Sequence, residues 1–596
     1  MDTGPNDRRR PRPTRNFLSM DTQIIYPDLS ELQEELKDLE TSEERIQFLI
    51  ELGQSLPPFP EEYCEEEFRV MGCQSMVWIV PNWNGEVFHF LASSDAPMVR
   101  GLVAILMSAY SGKTPSEIAK FPIEKLLEGL QLKSFLSPLR SNGLHSMIKR
   151  IRLYADSMSE SAGPATAAST TAEATSKSVR PDNDRGPLEA RIEQIRADFP
   201  ILRQKNREGV AVAYLDNAAS SQRPQTVIDS MSSLFSECYG NVHRSGHEWA
   251  VRSTEKIEAS RESVRLFINA AKTEEVIFTA GATASINLIA QAWGDANVGP
   301  DDEVILTEME HHSNIVPWQQ LCQRKGCKIR WVPIRSDYTL DIDQFEKMLS
   351  PRTKLVSFTA VSNVLGTINP VKQLVQSGHR VGATVVVDAA QATPHGAINV
   401  RDWDADFVVF SGHKMLASTG VGVCYGKRSI LESMPAWQGG GSMIKLVTFD
   451  GFSLADLPHK FEAGTPAIAE IISMKSAIEY LESIGHERLM EHERMLTGQA
   501  MAGLNKIDGL RLFSPPLELK SAVVAFTVEG IHGEEITRVL DGRGIAIRVG
   551  HHCAMPLHRR LGVSVTCRAS FYLYNTPDEV SRFVESVGHA VKVLRK

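Results

Sequence analysis

The runs Thr384-Val-Val-Val-Asp388-Ala-Ala-Gln391 and Phe407-Val-Val-Phe-Ser411-Gly-His-Lys414 decide how this 596-residue chain folds. Each opens on a short apolar stretch and closes on polar groups. Continuous apolarity over so few residues describes a strand buried on both faces, as in a parallel sheet covered by helices. The pattern recurs at Val276-Ile-Phe-Thr279, Glu303-Val-Ile-Leu306 and Leu355-Val-Ser-Phe358, with helical stretches between. Residues 188–596 are therefore expected to be an α/β unit around a mostly parallel sheet, with a smaller α+β lobe from about residue 471. In such sheets ligands sit at the carboxyl ends of strands, which is where Asp388 and Lys414 fall.

The residues at these ends suit one kind of chemistry. An acid at 388 can keep a pyridine nitrogen protonated and so make the ring an electron sink. A lysine at 414 can condense with an aldehyde cofactor. The turn Gly281-Ala282-Thr283 opens an apolar helix, and its backbone N–H groups and the Thr283 hydroxyl suit a phosphate. His311, after a strand, is placed to stack on an aromatic ring. Downstream, Cys553 lies in Arg548-Val-Gly-His-His-Cys553-Ala-Met-Pro556, where Arg548, His551 and His552 would favour the nucleophilic thiolate. Arg568, in Thr566-Cys-Arg-Ala-Ser570, offers a planar fork for a carboxylate. A second thiol, Cys73, sits in Met71-Gly-Cys73-Gln-Ser-Met-Val-Trp78. Each residue alone has a plainer reading, such as a helix cap, a solvated lysine or a buried small thiol, and the conjunction is what carries weight. Cys322 and Cys327 have a metal-like spacing, but no second pair completes a site, so no metal is expected.

The remainder of the chain divides by composition. Leu32-Gln-Glu-Glu-Leu36-Lys-Asp-Leu39 has helical spacing, Ser75–Val80 and Val87–Leu91 read as a hairpin, and Met98–Tyr110 and Leu144–Tyr154 read as helices. Residues 29–155 are thus expected to be a small α+β domain. Residues 156–187 are rich in Ser, Ala, Thr, Gly and Pro and read as a flexible linker. Residues 1–28 read as a disordered basic tail without the apolar core of a secretory signal; whether the first 19 belong to the mature protein is left open. With 42% hydrophobic and 23% charged residues the composition is that of a globular protein. A net charge of -9 argues against a nucleic-acid partner. No apolar stretch approaches the ~18 residues that cross a bilayer. Eight cysteines are too sparse for a disulfide framework and point to a reducing compartment.

Several runs together resemble the class V aminotransferase fold, and within it the cysteine desulfurases and selenocysteine lyases. They are Tyr214-Leu-Asp-Asn-Ala-Ala219, Val242-His243-Arg244, Glu308-Met-Glu-His-His-Ser-Asn-Ile-Val-Pro317, Val361-Ser-Asn363-Val-Leu-Gly366, Phe461-Glu-Ala-Gly-Thr465-Pro466 and the two opening runs. The Arg-x-Gly-His-His-Cys pattern at 548–553 resembles the SufS type. This resemblance implies pyridoxal 5'-phosphate on Lys414, with Asp388 at the ring nitrogen, Gln391 at the ring oxygen and His311 stacked on the ring. It implies Ala282, Thr283, Ser411 and His413 at the phosphate, and Asn363, His243, Arg548 and Arg568 around the substrate. Thr465 would reach the phosphate of the other subunit, which implies a homodimer.

Residues 29–155 resemble SufE-type sulfur acceptors through Ile50-Glu-Leu-Gly-Gln-Ser-Leu-Pro57, Val70-Met-Gly-Cys-Gln-Ser75, Ser94-Asp-Ala96, Gly101-Leu-Val-Ala104 and Arg140-Ser-Asn-Gly-Leu144. By this resemblance Cys73 accepts a persulfide and Arg140 lies near its loop. The implied whole is a SufE–SufS fusion that takes sulfur from L-cysteine onto Cys553, leaves alanine, and passes the sulfur to Cys73. A SufBCD-type iron–sulfur scaffold would be the recipient, in a bacterial cytoplasm or alternatively a plastid or other organelle. A selenocysteine lyase or cysteine sulfinate desulfinase on the same scaffold is the first alternative, and a silent scaffold protein the second.

Overall fold

The computed structural model describes residues 29–39, 42–65, 67–70, 75–83, 86–130, 138–159, 188–243 and 245–595. Cys73, the tail 1–28 and residues 160–187 lie outside the described residues. Arg140 is described as backbone only. By contacts the chain forms two units, residues 1–178 with 243–251, and residues 179–242 with 252–596.

In the first unit the strands Val77–Trp83 and Phe88–Ser94 pair antiparallel from Val77↔Ser94 to Trp83↔Phe88. The second strand alternates strictly, with Phe88, Phe90, Ala92 and Ser94 buried and the residues between them half-buried, as one face of a hairpin packing on a core requires. The hairpin runs beyond its expected ends because Trp83 packs on that core. Helix Pro97–Tyr110 is buried along nearly its whole length. It meets helix Ser42–Gln54 at two glycines: a Cβ on Gly101 would lie 2.0 Å from Leu49 O, and one on Gly53 would lie 2.7 Å from Gly101 N. A last helix, Pro138–Ser159, takes in the expected helix Leu144–Tyr154 and extends beyond it at both ends. Val70 N–H donates to Val77 O at 2.8 Å, and Arg69 bridges to Trp78.

The second unit is built on a seven-stranded sheet. Its order is Val276–Thr279, Gly422–Gly426, Phe407–Ser411, Thr384–Asp388, Thr353–Thr359, Glu303–Thr307 and Lys328–Val332. Gly422–Gly426 pairs antiparallel with both Val276–Thr279 and Phe407–Ser411; the remaining pairs of the sheet are parallel. The apolar runs are continuous because the sheet has a core on each face. Val385, Val387, Val408 and Phe410 enter one cluster, and Val386, Phe407 and Val409 enter the other.

Helix Ile468–Ile484 packs on helix Gln225–Glu237 within the first of these clusters. The small lobe, expected from about residue 471, has its own core, which takes in Leu496 of helix His486–Leu504 and, from far upstream, Ala213 and Leu215. There the antiparallel strands Leu510–Phe513, Val523–Val528, Thr566–Ser570 and Arg548–Gly550 lie side by side. Cys322 and Cys327 are joined by a disulfide rather than left as thiols or metal ligands. Gly326, left-handed at φ 77°, caps helix Val316–Lys325 and reverses the chain, so the two Cα atoms come within 4.5 Å. One bridge is still no framework: Cys64, Cys238, Cys424, Cys553 and Cys567 are free.

Candidate active site

At the carboxyl ends of the parallel strands lies a cavity of about 150 Å³. Strand Thr384–Asp388 delivers Asp388, which is 4% exposed. Its Oδ1 accepts from Ala390 N at 2.9 Å. Burial raises this carboxyl, while the Lys414 ammonium pulls it back down. Strand Phe407–Ser411 runs into a single helical turn, Gly412–Lys414, that delivers Lys414. Desolvation lowers Lys414 to about 8, with Asp388 opposing and the Arg568 and Arg548 charges adding to the drop. The two groups that the sequence placed at neighbouring strand ends therefore share one site and feel each other's charge.

Just before the opposite wall stands Gly281, whose φ of 144° excludes most side chains. Gly422 must also lack a Cβ, which would fall 2.4 Å from Gly281 Cα. The close approach lets Ala282 N–H donate to Ser411 Oγ at 2.9 Å, which leaves the Ser411 hydroxyl hydrogen uncommitted. Thr283 and His413 also line the cavity. Burial lowers His413 to about 4, so its ring is neutral. His311 is neutral too: desolvation, then Lys414, lower it to about 3. Its Nδ1 accepts from Ser313 N at 3.1 Å, so the ring hydrogen sits on Nε2. Gln391 donates from Nε2 to Ala218 O at 2.6 Å.

The third wall comes from the small lobe. Arg568, 2% exposed, donates from Nη1 to Asn363 O and from Nη2 to Asp216 Oδ1, each at 3.0 Å. Its Nε has no partner among the described residues. Cys553 is exposed on its loop. It and His552 both adopt left-handed backbone, at φ 56° and 50°, which costs a side-chain-bearing residue about 1–3 kcal/mol. Several contacts hold that shape. His312 N donates to Cys553 O at 2.6 Å, Asn363 Nδ2 to His552 O at 2.7 Å, and Met555 N to His312 Nε2 at 3.0 Å. His552 Nε2 meets Thr566 O at 3.0 Å and Thr566 Oγ1 at 3.1 Å. His558 donates from Nδ1 to Ala554 O and so accepts from Thr566 Oγ1 at its Nε2, 3.1 Å away. Burial lowers His552 to about 2. It therefore carries no charge near neutrality, and the favouring of a thiolate expected from it is absent.

Lys414, Cys553, Asp388, Ala282, Thr283, His311, Asn363, Gln391, Ser411, His413, Arg548 and Arg568 all line this one cavity. Thr465 does not line it. It is exposed, at 3.4 Å from Asn241 Oδ1, on a loop anchored by Glu462 to buried Arg261 at 2.7 Å. His243 is half-buried in a left-handed turn, φ 69°, in the segment grouped with the first unit. Sequence reasoning missed the supporting residues Ser313, Asp216, Thr566 and Glu310. Glu310 is buried and raised to about 8, and it accepts from Thr307 Oγ1, Asn314 Nδ2 and Thr359 N. A polar residue beside His311 in a strand-end run was the available signal.

The profile described as Aminotransferase class-V matches residues 213–583, and the SufE profile, described as Fe-S metabolism associated domain, matches residues 30–155. A probable cysteine desulfurase of Streptomyces coelicolor is 46% identical over 402 residues, covering 67% of this chain and 96% of that protein. A cysteine desulfurase of Synechococcus elongatus is 46% identical over 396 residues, covering 66% of this chain and 63% of that one. Among solved structures, the cysteine desulfurase CsdA of Escherichia coli in its S-sulfonic acid form superposes with a TM-score of 0.63 at 37% identity, covering 67% of this chain and 98% of that one. The cysteine desulfurase of Thermococcus onnurineus gives 0.64 at 36% identity with the same coverages. By sequence, fold and the convergence of its strand-end residues, this chain belongs to the class-V aminotransferase family and carries a SufE-type domain ahead of it.

Proposed function

We propose that this chain is a pyridoxal-phosphate-dependent cysteine desulfurase fused to its own sulfur acceptor. In the first half-reaction L-cysteine and the Cys553 thiol give L-alanine and a Cys553 persulfide. In the second, the Cys73 thiol takes the terminal sulfur and Cys553 returns to a thiol. The observation that carries this reading is the meeting of Lys414, Asp388, Arg568 and an exposed cysteine on one cavity. The similarity to proteins named cysteine desulfurase supports it over the lyase and desulfinase alternatives.

The donor set fits pyridoxal phosphate. A buried carboxylate faces an amine across the cavity, and a neutral imidazole lies beside them. An uncommitted hydroxyl and the start of helix Ala282–Leu288 suit an anionic group. When bound, this cofactor supplies an electron sink for charge developing on the substrate carbon. In this reading Lys414 Nζ, kept near 8, is a base that takes and returns a proton at that carbon. Burial raises Asp388, and the nearby Lys414 charge pulls it back toward the charged form. The free Nε of Arg568 and its second Nη hydrogens are left to grip a carboxylate. Asn363 and His312 hold Cys553 at the cavity mouth, where its Sγ can reach the substrate sulfur and then a second thiol. Arg548 is assigned to the substrate side, and Arg140 to the support of Cys73.

The reading includes a homodimer in which Thr465 reaches the phosphate site of the other copy. An exposed apolar hairpin supports it: Leu446, Val447, Phe449 and Phe452 of Ile444–Val447, Phe452–Leu454 and their turn all face outward. A SufBCD-type scaffold as final recipient and a cytoplasmic location complete the reading. Among the described residues no helix is long and apolar enough to cross a membrane.

The test is peptide mass analysis after one equivalent of L-cysteine without reductant. The reading expects one added sulfur per chain, shared between the Cys553 and Cys73 peptides, with the Cys73 adduct lost in Cys553→Ser. Sulfur on Cys73 in Cys553→Ser would sink it.

A further inference from the structure

The loop that carries Asn363 is gripped from the small lobe by a residue outside the active-site cavity. Ser362 N donates to Thr367 O at 2.9 Å and Gly366 N to Ser362 O at 3.0 Å, so residues 361–368 close on themselves. Asn363, 6% exposed, makes two contacts from this loop. Its Nδ2 donates to His552 O at 2.7 Å, and its backbone O accepts from Arg568 Nη1 at 3.0 Å. One small loop thus holds both the Cys553 segment and the guanidinium fork.

The far edge of the loop lies along residues 519–521. Ile368 N donates to Leu519 O at 2.9 Å and Ser521 N to Gly366 O at 2.8 Å, and Thr367 bridges antiparallel to Lys520. From the same stretch the Lys520 side chain, 6% exposed, reaches back into the loop. Its Nζ donates to Leu365 O at 2.8 Å. Gly366 makes room for that approach: its φ is 71°, and a Cβ there would lie 3.1 Å from Val523 O and 3.2 Å from both Lys520 Nζ and Ser521 O. Burying an amine costs free energy unless it is hydrogen-bonded, and a methionine would fill the same space without that cost. Burial lowers Lys520 to about 7, and in either protonation state it keeps N–H hydrogens to donate. On the large-domain side, Thr367 Oγ1 donates to Tyr338 O at 2.8 Å.

We propose that Lys520 is a positioning residue for the Cys553 chemistry. By holding Leu365 O it sets where Asn363 stands, and Asn363 sets the His552–Cys553 backbone and the Arg568 fork. Leu365 and Asn363 belong to one closed loop, so a shift at the first is carried to the second. A misplacement of about 1 Å at a reacting group can cost about 100-fold in rate. The effect on alanine formation rests on the proposed function; the mechanical link from Lys520 to residues 551–555 does not.

The experiment takes Lys520→Met and Asn363→Ala, singly and together, in the full-chain holoenzyme. It measures backbone hydrogen exchange and the first-turnover alanine rate at saturating L-cysteine. Lys520→Met keeps volume and removes the donor. It is expected to speed exchange in peptides spanning 361–368 and 551–555, to leave Thr384–Asp388 unchanged, and to lower the rate at least about fivefold. Asn363→Ala already lacks the bond to His552 O, so adding Lys520→Met to it should cost less than about twofold more. A lysine that only stabilised the fold would lower the rate equally in both backgrounds. Should Lys520→Met fail to fold, Gly366→Ala, which presses a methyl on Val523 O and Ser521 O, serves in its place with the same expectations. Unchanged exchange at 551–555, or fully additive losses from the two substitutions, would each overturn the proposal. A parent that forms no alanine would sink the proposed function instead and leave the exchange measurement to decide this one.

Discussion

Thr566→Val tests how the Cys553 loop is held without touching the cavity. Thr566 is fully buried, and its hydroxyl sits between two buried neutral histidines. The carbonyl of Ala554 fixes the hydrogen of His558 on Nδ1, so His558 Nε2 depends on the Thr566 hydroxyl for its donor. Valine preserves shape and removes that donor. Leaving a buried acceptor unmet costs about 1–3 kcal/mol. The strain at His552 and Cys553 is of the same size, about 1–3 kcal/mol per residue. The loss therefore falls where the margin holding the left-handed loop is narrow. If all of it is felt in the reactive loop shape, the first-turnover rate drops by about 5- to 150-fold at roughly 1.4 kcal/mol per decade. The assay is rapid-quench measurement of the alanine burst, with cofactor absorbance as the control for the Lys414 and Asp388 side. A burst rate within twofold of the parent at unchanged cofactor content would refute the reasoning. Loss of cofactor absorbance would place the damage elsewhere and refute it equally.

Three further outcomes follow from the geometry. Because Lys414 is lowered to about 8, its neutral amine falls tenfold per pH unit below that value; capture of pyridoxal phosphate by cofactor-free protein, followed by absorbance, should rise with pH and level off above about 8, and a flat rate from pH 6 to 9 would contradict this. His552 is held to about 2 when folded, whereas an unfolded imidazole titrates near ~6.5. The sign follows directly: below about 6.5 the unfolded chain binds a proton that the native chain refuses, so this residue's contribution falls as pH drops, by up to about 1.4 kcal/mol per unit. Urea unfolding of parent and His552→Gln at pH 7 and 5 should show the smaller acid loss in the variant; an equal or larger loss would contradict the burial argument. In the first unit, Gly101→Ala puts a methyl 2.0 Å from Leu49 O; overpacking of this kind costs about 1–3 kcal/mol or more, and an unchanged urea midpoint for that unit would mean the helices do not cross so closely.

The sequence carries the sheet and the groups at its strand ends, and the reason is local. Thr384–Asp388 and Phe407–Ser411 are apolar on both faces, and the chemical groups follow them within a few residues. Gly281 and Gly422 were less visible, because their need arises where two distant strands touch. The hydrogen-bonding layer was not legible at all. Ser313, Asp216 and Thr566 act on residues that the chain brings together only after folding. The histidine beside Cys553 shows the same limit. Adjacency suggested that His552 would help form a thiolate, but its ring is turned to Thr566 and buried, which removes the charge. The bridge between Cys322 and Cys327 depended on a left-handed glycine cap, a turn that spacing alone does not announce.

The most direct test of the account compares alanine release from L-cysteine, with reductant, in the intact chain and in Cys73→Ser. The account predicts that the variant keeps one stoichiometric burst of alanine and loses most of its multiple-turnover rate, because the sulfur on Cys553 has lost its built-in acceptor. An unchanged multiple-turnover rate would contradict it and take the first unit off the path of sulfur.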